Sequence, residues 1–501
     1  MLRPFPILLS VTLAAGLAAQ EPPPLPDPAE IEEGPVRLIE ETAVGPTPGA
    51  PVISLEAAIT RALEANFGLL GSADALQGAK IRESATKSQW YPRFTPSYLV
   101  NPDDTSILGS ATQRLPWTGG SVSALVTLRN SELTVPELSH TGDMRLVLTQ
   151  PILKGFGPNA AYFDLRNSQR GREGQERQFE LVRQRLAVQV TAAFYSVIAQ
   201  RQLVGVSRQS LKRSENLKIA SEARLKVGLV SKLDVFRADL QAAQTQESLV
   251  RTEAALQSSL EQFRGLLGLS PGDPVEPEAA TLPEVVEHDV IEPLEVLLMR
   301  AREQRLDVHE AADQVDDARR SASLAKQNLL PQLDVNLGYV RSGFGPSYNR
   351  ALEDAQGRFE VYFNTTYPVD NAAAKASKAV ADLDLVARER SVRQKHMDVE
   401  GEVRAAAREL ERIQKSVELQ KKGVEVAAQQ LRLSTLRYQR GLASNFDVVD
   451  AEGSLVLARS ALVGLLTSYQ IARAELLRVT GDLDAQRPVA ARGFSLREST
   501  P

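Results

Sequence analysis

The 501-residue chain contains no cysteine and few aromatic residues. Without a thiol it has no disulfide, no thiolate metal site and no cysteine nucleophile, and a lipoprotein anchor, which needs a cysteine at the cleavage site, is excluded. Aromatic residues make up only 5% of the chain, which is typical of long helices rather than of a thick aromatic core. The net charge of −5 is small for this length and indicates no nucleic-acid surface.

Motifs of catalysis and metal binding are also lacking. The four histidines (His140, His288, His309 and His396) are scattered, and no pair has the helical spacing of metal ligands. The chain has no phosphate-binding loop and no G-x-S-x-G nucleophile elbow. The sequence therefore predicts a protein that is not an enzyme and that has no cofactor and no metal site.

The N-terminus has the pattern of a secretory signal peptide, predicted to span residues 1–19. A single Arg3 precedes an apolar stretch that closes with the small residues Ala18 and Ala19. The alternative is a short membrane anchor, although the apolar part is short for a bilayer of about 30 Å. Residues 20–53 are rich in proline and acidic groups, which predicts a disordered leader.

One stretch of sequence returns later in the chain. Residues 224–240 (RLKVGLVSKLDVFRADL) align without gaps with 437–453 (RYQRGLASNFDVVDAEG), and seven of seventeen positions are identical. The shared glycines are Gly228 and Gly441, and each lies beside small and β-branched residues between long polar–apolar stretches. A repeat of this kind predicts two helical hairpins that turn at the glycines.

A second repeat defines the domain organisation. Residues 55–92 align with 294–331, with eleven of 38 positions identical. We therefore predict a first repeat over 54–269 and a second over 294–485, joined by a proline-rich acidic linker at 270–293. A loose tail follows at 486–501. Each repeat is predicted to contain a β region (about 93–151 and about 332–369), a long helix (about 158–226 and about 371–438) and a tip turn (227–232 and 439–446).

The long helices carry a sustained heptad pattern. In the second repeat the heptad residues are Val403, Leu410, Val417, Val424, Leu431 and Tyr438, and in the first they are Val190, Val197, Val204, Leu211, Lys218 and Leu225. Only Lys218 is polar. At 1.5 Å per residue each helix spans about 100 Å, so it needs packed neighbours along its whole length, from its own chain or from identical chains.

The β regions alternate between apolar and polar residues. In 332–340 (QLDVNLGYV) and 358–368 (RFEVYFNTTYP), alternation over about ten residues with aromatics near the ends fits transmembrane β-strands. The alternative is an ordinary half-buried sheet in a soluble protein. The pattern predicts about four strands per chain, which cannot close a barrel alone, and three chains would give twelve. The first β region is longer and allows more than four strands.

Two carboxylates follow the second tip turn. Asp447 and Asp450 are three residues apart and share a helix face. If identical helices form a tube, the pair becomes a ring at its mouth that favours cations. The alternative is a helix N-terminal acid that interacts with the helix dipole. The first repeat has Asp234 at the position of Asp447 but Arg237 at that of Asp450.

Taken together, these features resemble the TolC-type outer-membrane efflux proteins. The resemblance covers about residues 52–485 and lies in the paired tips (VGLVSKLDV, RGLASNFDVVDA), the proline segments LTQPILKGFG and NTTYPVDNAAAKA, and the doubled helix–strands–helix order. It implies a mostly α protein with β-strands. A homotrimer would form a β-barrel in the lipid of the outer membrane of a Gram-negative-type envelope, continued by a helical barrel in the periplasm.

The resemblance also implies partners and site residues. The partners are a periplasmic adaptor protein and an inner-membrane pump of the RND, ABC or MFS type, which recruit the passive duct for efflux or type I secretion. Asp447 and Asp450 match an aspartate ring and Tyr438 a gate residue at the periplasmic entrance, whereas Ala443 replaces an arginine of that gate. The residues implied to contact the adaptor are Gly228, Leu229, Ser231, Gly441, Leu442 and Ser444. The alternative function is a soluble periplasmic coiled-coil adaptor or scaffold.

Overall fold

A computed structural model describes residues 45–46, 48–101, 104–131, 139–285 and 292–483. The predicted signal peptide, most of the leader and the predicted C-terminal tail lie outside these residues. The helices are α1 (Leu55–Ala65), α2 (Phe67–Lys87), α3 (Pro158–Ala161), α4 (Phe163–Lys226), α5 (Lys232–Leu266), α6 (Leu294–Gln304), α7 (Leu306–Gln327), α8 (Tyr348–Glu353), α9 (Ala372–Gln439) and α10 (Asn445–Thr480). The strands are β1 (Val52–Ile53), β2 (Arg93–Asn101), β3 (Asp104–Arg114), β4 (Ser121–Ser131), β5 (His140–Pro151), β6 (Glu276–Pro277), β7 (Gln332–Gly345) and β8 (Gln356–Thr366).

Two very long helices form the body of the molecule. Helix α4 has 64 residues and α9 has 68, so they extend about 96 and about 102 Å. Towards one end α5 packs on α4 and α10 packs on both α9 and α4, and towards the other end α2 packs on α4 and α7 on α9. Helices of this length are therefore supported by neighbours of the same chain over most of their extent.

The heptad residues form the core of this bundle, as predicted. All six heptad positions of α9 are buried, from Val403 and Val424 at 0% exposure to Leu431 at 9%. In α4 the residues Val190, Val197 and Val204 are buried. Lys218, the polar exception, reaches the surface and forms an ion pair with Asp239 on α5. The heptad pattern thus marks the face along which the helices pack.

The β regions form one antiparallel sheet in the order β2-β3-β4-β5-β7-β8. The sheet has six strands, not about four, because the first β region folds into four strands rather than two. The chain reverses between Asn101 and Asp104, which pair with each other, and again between β3 and β4, where Leu115 N–H donates to the Gly120 carbonyl (2.8 Å) and Gly119 has φ +77°. The fold class, mostly helix with β-strands, is as predicted.

The two faces of the sheet differ in polarity. Residues that pair directly across antiparallel strands share a face, so the register assigns every side chain to one side. We call one side the apolar face: Phe94, Pro96, Tyr98, Val100, Ile107, Gly109, Ala111, Val122, Ala124, Val126, Leu128, Met144, Leu146, Leu148, Leu333, Val335, Leu337, Tyr339, Phe359, Val361 and Phe363. The other side, the polar face, includes Thr95, Ser97, Ser110, Thr127, Arg129, Asp143, Arg145, Thr149, Asp334, Asn336, Glu360 and Asn364. This face also carries a minority of apolar residues, Leu99, Leu108, Leu125, Val147 and Val340.

Exposure of the two faces is reversed relative to a soluble sheet. On the apolar face Phe94 and Phe359 are 78% and 85% exposed, whereas Asp334 and Asn336 on the polar face are buried. Soluble proteins bury apolar side chains and expose polar ones. A membrane barrel does the opposite, with apolar residues towards lipid and polar residues towards the lumen. The exposure pattern therefore favours the transmembrane interpretation of these strands over the soluble one.

The inter-repeat linker is anchored to the bundle by a buried arginine. Arg201 on α4 is 1% exposed, forms an ion pair with Glu276 (2.5 Å) and donates to the Pro277 carbonyl (2.8 Å). Glu276 and Pro277 form β6, which pairs in parallel with β1 next to the start of α1. A buried charge without its partner is strongly destabilising, so this pair fixes the path of the linker across α4.

Helix α10 is long and apolar enough to cross a membrane by length and composition, the one such helix among the described residues. In its most apolar window 39% of the residues are buried within this chain, and the helix packs on α9 and α4. The core helix of a bundle meets the same criterion. Burial against α9 and α4 is sufficient to explain its composition.

Candidate functional site

Both long helices end in the same left-handed cap. Gly228 after α4 and Gly441 after α9 have φ of +76° and +74°. Leu229 N–H then donates to the Arg224 carbonyl (2.9 Å), and Leu442 N–H donates to the Arg437 carbonyl (2.8 Å). This hydrogen-bond pattern is the Schellman motif, which needs a residue that tolerates positive φ, and glycine does so at little cost. The repeated glycine is therefore explained by chain reversal.

The next helix starts with a capping box in both repeats. The carboxylate of Asp234 accepts hydrogen bonds from the backbone N–H (3.1 Å) and hydroxyl (2.7 Å) of Ser231. Asp447 accepts the same pair from Ser444, at 2.7 and 2.8 Å. Hydrogen bonds from the serine lower the pKa of each aspartate below its usual value. Asp447 is therefore ionised at neutral pH, and its carboxylate is held at the N-terminus of α10.

A cluster of contacts joins the end of α4 to the end of α9. The guanidinium of Arg224 lies 4.3 Å over the ring centroid of Tyr438 and donates to the carbonyls of Tyr438 (2.7 Å) and Gln439 (2.9 Å). The Tyr438 hydroxyl is 3.1 Å from the hydroxyl of Ser221. Tyr438 is only 5% exposed. We call Arg224, Ser221 and Tyr438 the tip clamp, because they connect the first hairpin to the second.

A further hydrogen bond connects the two N-termini that follow the turns. The side-chain amide of Asn445, at the start of α10, donates to the backbone carbonyl of Asp234 in α5 (2.9 Å). Asn445 is 2% exposed. The two tips therefore lie side by side at one end of the bundle, and both the helix ends and the helix starts are tied across the repeat.

A family comparison identifies the second repeat. Residues 297–482 match the family model described as outer membrane efflux protein. This match lies within the second repeat, which is therefore similar to that family. A curated relative from Pseudomonas putida, described as the probable efflux pump outer membrane protein TtgC, is 22% identical over 302 residues, which are 59% of this chain. The chain spans about 60% of the length of such curated relatives.

Solved structures have the same fold over most of both chains. The outer-membrane channel OprN superposes with a TM-score of 0.68 at 17% identity and covers 90% of this chain and 96% of its own. The outer membrane protein VceC from Vibrio cholerae gives a TM-score of 0.66 at 15% identity, with 85% and 96% covered. The predicted resemblance to outer-membrane efflux proteins is thus confirmed.

The sequence-predicted site residues of this chain lie at the tip end. Leu229 and Leu442 are 74% and 68% exposed, as is typical of side chains available to a partner. Asp450 is exposed on α10, one turn after Asp447, and within the described part of the chain it has no hydrogen-bond or ion-pair partner. Tyr438 was expected to be a gate residue at the entrance. In the structure its side chain is buried within its own chain, where it contacts Arg224 and Ser221.

Sequence reasoning missed the other members of the tip clamp. Arg224 was visible as one of the identical positions of the repeat, paired with Arg437. The identity does not imply equivalent contacts, since Arg224 binds across to Tyr438 whereas Arg437 lies near Asp447. Contacts between residues 214 positions apart leave no local pattern in a sequence.

A buried polar cluster lies behind the tips of the two hairpins. Glu452 on α10 is 6% exposed, and burial raises its pKa above the usual value, although Arg213 on α4 lies 3.1 Å away. Arg459 on α10 donates to Gln209 on α4 (3.0 Å). A cavity of about 400 Å³ opens beside Glu452 between α4, α9 and α10. Across the described residues no group of three or more His, Asp or Glu is arranged to hold a metal ion.

Proposed function

We propose that this protein is the outer-membrane exit duct of a tripartite efflux or type I secretion system. The observation that carries the proposal is the reversed polarity of the sheet, with Phe94, Leu337 and Phe359 exposed on one face and Asp334 and Asn336 buried on the other. An exposed apolar face of this extent is unstable in water and is accommodated by lipid. The sheet is therefore the part of the chain that enters the outer membrane.

Aromatic residues at the helix-side end of the sheet support this assignment. Trp117 in the turn between β3 and β4 is 72% exposed, Tyr91 before β2 is 69% exposed, and Tyr367 after β8 is 57% exposed. Aromatic residues of membrane barrels form girdles at the water–lipid interface. These three residues mark the periplasmic boundary, so the bundle of about 100 Å extends from there into the periplasm.

Three copies of the chain form the duct in this proposal. Its helices provide the wall of a periplasmic tunnel, and the two repeats (54–269 and 294–485) contribute one tip each. An adaptor in the periplasm contacts the exposed tip residues, which include Leu229 and Leu442, and an inner-membrane pump supplies the energy. The relative TtgC carries the description of an efflux pump outer membrane protein, which supports this arrangement. The duct itself is passive and carries out no chemical reaction.

Asp447 and Asp450 form a ring of carboxylates at the periplasmic entrance of this duct. Both side chains are exposed at the tip end, and Asp447 is ionised at neutral pH because Ser444 stabilises its carboxylate. Three copies bring six carboxylates together, and such a ring attracts cations and repels anions. The alternative role of Asp447, capping α10, coexists with the ring, since a capping carboxylate keeps its charge.

Native mass spectrometry of protein extracted from purified outer membranes tests the proposed function. A trimer in the outer-membrane fraction is the expected result. A monomer in the soluble periplasmic fraction would instead support the alternative, a coiled-coil adaptor or scaffold, and would overturn the duct. The alternative does not explain what would cover the exposed apolar face of the sheet.

The ring is tested separately in planar bilayers with the double variant Asp447→Ala/Asp450→Ala. We expect the preference for cations over anions to fall, because the negative charges at the entrance are removed. Asp239→Ala is the matched control, since Asp239 is a carboxylate on the exposed side of α5, paired with Lys218. Equal selectivity of the double variant and the unsubstituted protein would exclude the ring.

A further inference from the structure

The additional hairpin of the first β region belongs to the same membrane-facing sheet as the other strands. Strand β3 pairs with β4 over its whole length, and β2 pairs with β3 from Arg93 to Asn101. The apolar face continues across this hairpin through Phe94, Tyr98 and Ile107, which are 78%, 67% and 44% exposed. Its other face carries five Ser and Thr residues, Thr95, Ser97, Ser106, Ser110 and Thr112, together with Leu99 and Leu108. The apolar face therefore continues onto β2 and, more weakly, onto β3.

The two outer strands, β2 and β8, have unpaired edges. The sheet ends at these strands, and no other strand of the described residues pairs with their outer sides. Every residue of β2 is exposed, and so is every residue of β8 except Glu360. Backbone N–H and C=O groups on such an edge cannot remain unpaired in lipid, because each would cost several kcal/mol. A membrane-embedded form of this sheet therefore requires a partner strand at each edge.

The direction of the edge strands fits a second copy of the same chain. Strand β2 begins just after α2 and runs away from the helical bundle, whereas β8 runs back towards it and is followed by α9. An even number of antiparallel strands gives edges of opposite direction. Strand β2 of one copy would thus lie antiparallel to β8 of the next, as every other neighbouring pair of the sheet does.

We propose that β2 of each copy pairs with β8 of the next copy, and that three copies close a barrel of eighteen strands. The inference rests on the proposed trimeric duct but goes beyond it, since about four strands per chain would give twelve. Barrel diameter grows roughly linearly with strand number, so this barrel is about 1.5 times as wide as a twelve-stranded one. Barrels of 16–18 strands leave an open aqueous channel. Size selection then takes place at the helical tips rather than in the membrane.

Engineered disulfides test which strands meet between copies. The chain has no cysteine, so each double-cysteine variant reports a single pair of positions without background. Phe363→Cys on β8 is combined in turn with each of four substitutions on β2. Several are needed because the pairing register between β8 and β2 of the next copy does not follow from the register within one chain. The substitutions on β2 are Phe94→Cys, Pro96→Cys, Tyr98→Cys and Val100→Cys.

A matched control series uses β4 in place of β2. Strand β4 would be the first strand of the sheet if the hairpin β2–β3 lay outside the barrel. Each control variant combines Phe363→Cys with one apolar-face substitution on β4. These are Val122→Cys, Ala124→Cys, Val126→Cys and Leu128→Cys. All variants are expressed as full-length protein, oxidised in isolated outer membranes and analysed on denaturing gels with and without reductant.

On gels without reductant, we expect at least one β2–β8 variant to run as covalently linked chains instead of as a monomer. We expect every β4–β8 variant to run as a monomer. A disulfide forms only between Cα atoms about 4.4–6.8 Å apart, which is the separation across directly paired strands. Linkage in the β4 series would overturn the eighteen-stranded barrel and support twelve strands, while the duct would stand. No linkage in either series, in a protein that is trimeric in the outer membrane, would also overturn it. A soluble monomer would remove both proposals.

Discussion

Replacing Arg224 with alanine should separate the two hairpins at the tip. Arg224 makes two hydrogen bonds to carbonyls at the end of α9 and stacks on Tyr438. Hydrogen bonds of charged donors contribute about 1.5–3 kcal/mol each, and the lower value applies here because Arg224 is half-buried. Stacking adds about 0.5–1 kcal/mol at such a site. After allowance for partial replacement by water, the loss is about 3 kcal/mol, which corresponds to roughly a 100-fold change in an equilibrium constant.

The assay is conductance in planar bilayers, together with thermal unfolding of the purified protein. If the tip clamp holds the hairpins together and thereby narrows the entrance of the proposed duct, Arg224→Ala raises the conducting fraction. Arg224→Lys has an intermediate effect, because an ammonium cannot bind two carbonyls and stack at the same time. Arg208→Ala is the control, since Arg208 lies on the same helix and pairs at the surface with Glu253 (2.8 Å). Equal conductance and equal stability of Arg224→Ala and Arg208→Ala would refute the reasoning.

Three further substitutions test the local chemistry of the fold. Gly441→Ala should lower the unfolding midpoint, because alanine at φ +74° costs about 1–2 kcal/mol. Gly453→Ala within α10 should raise the midpoint, because alanine favours a helix by up to about 1 kcal/mol over glycine and nothing lies within 4 Å of the added methyl group. Midpoints in the opposite order would contradict the turn geometry. Burial alone would raise the pKa of Asp307, but Arg305 and Lys395 outweigh it and lower the pKa to about 2. The resulting stabilisation is present above pH about 4, the unfolded value, and is lost as the pH falls through about 2. Asp307→Asn should therefore flatten the pH dependence of unfolding between these values, and an unchanged profile would exclude the contribution.

The helical part of the molecule was largely predictable because its signals are local. The heptad from Val403 to Tyr438 marks the buried face of α9 directly, since helix periodicity fixes which residues point the same way. The glycine turns were visible as a repeat, and their positive φ follows from glycine being the residue that tolerates it. Such inferences need only neighbouring residues.

Two other features were predictable only in part or not at all. The length of the first β region allowed more than four strands but did not fix their number. The hairpin β2–β3 has its own signal, the Asn101-Pro102 dipeptide between alternating stretches, which is typical of a turn, but the weak hydrophobicity of β3 hid the second strand. The tip clamp has no signal of this kind. Arg224 and Tyr438 lie 214 residues apart, and only the packing of α4 on the second hairpin brings them together.

The open edges of the sheet have a consequence for biogenesis. A single copy would enter the bilayer with two rows of unpaired peptide groups, which lipid does not tolerate. In the proposed trimeric duct, folding of the sheet, association of the copies and membrane insertion would therefore occur as one cooperative event. The yield of inserted protein should depend steeply on the concentration of chains, and a lone chain should remain outside the membrane, available to chaperones and proteases.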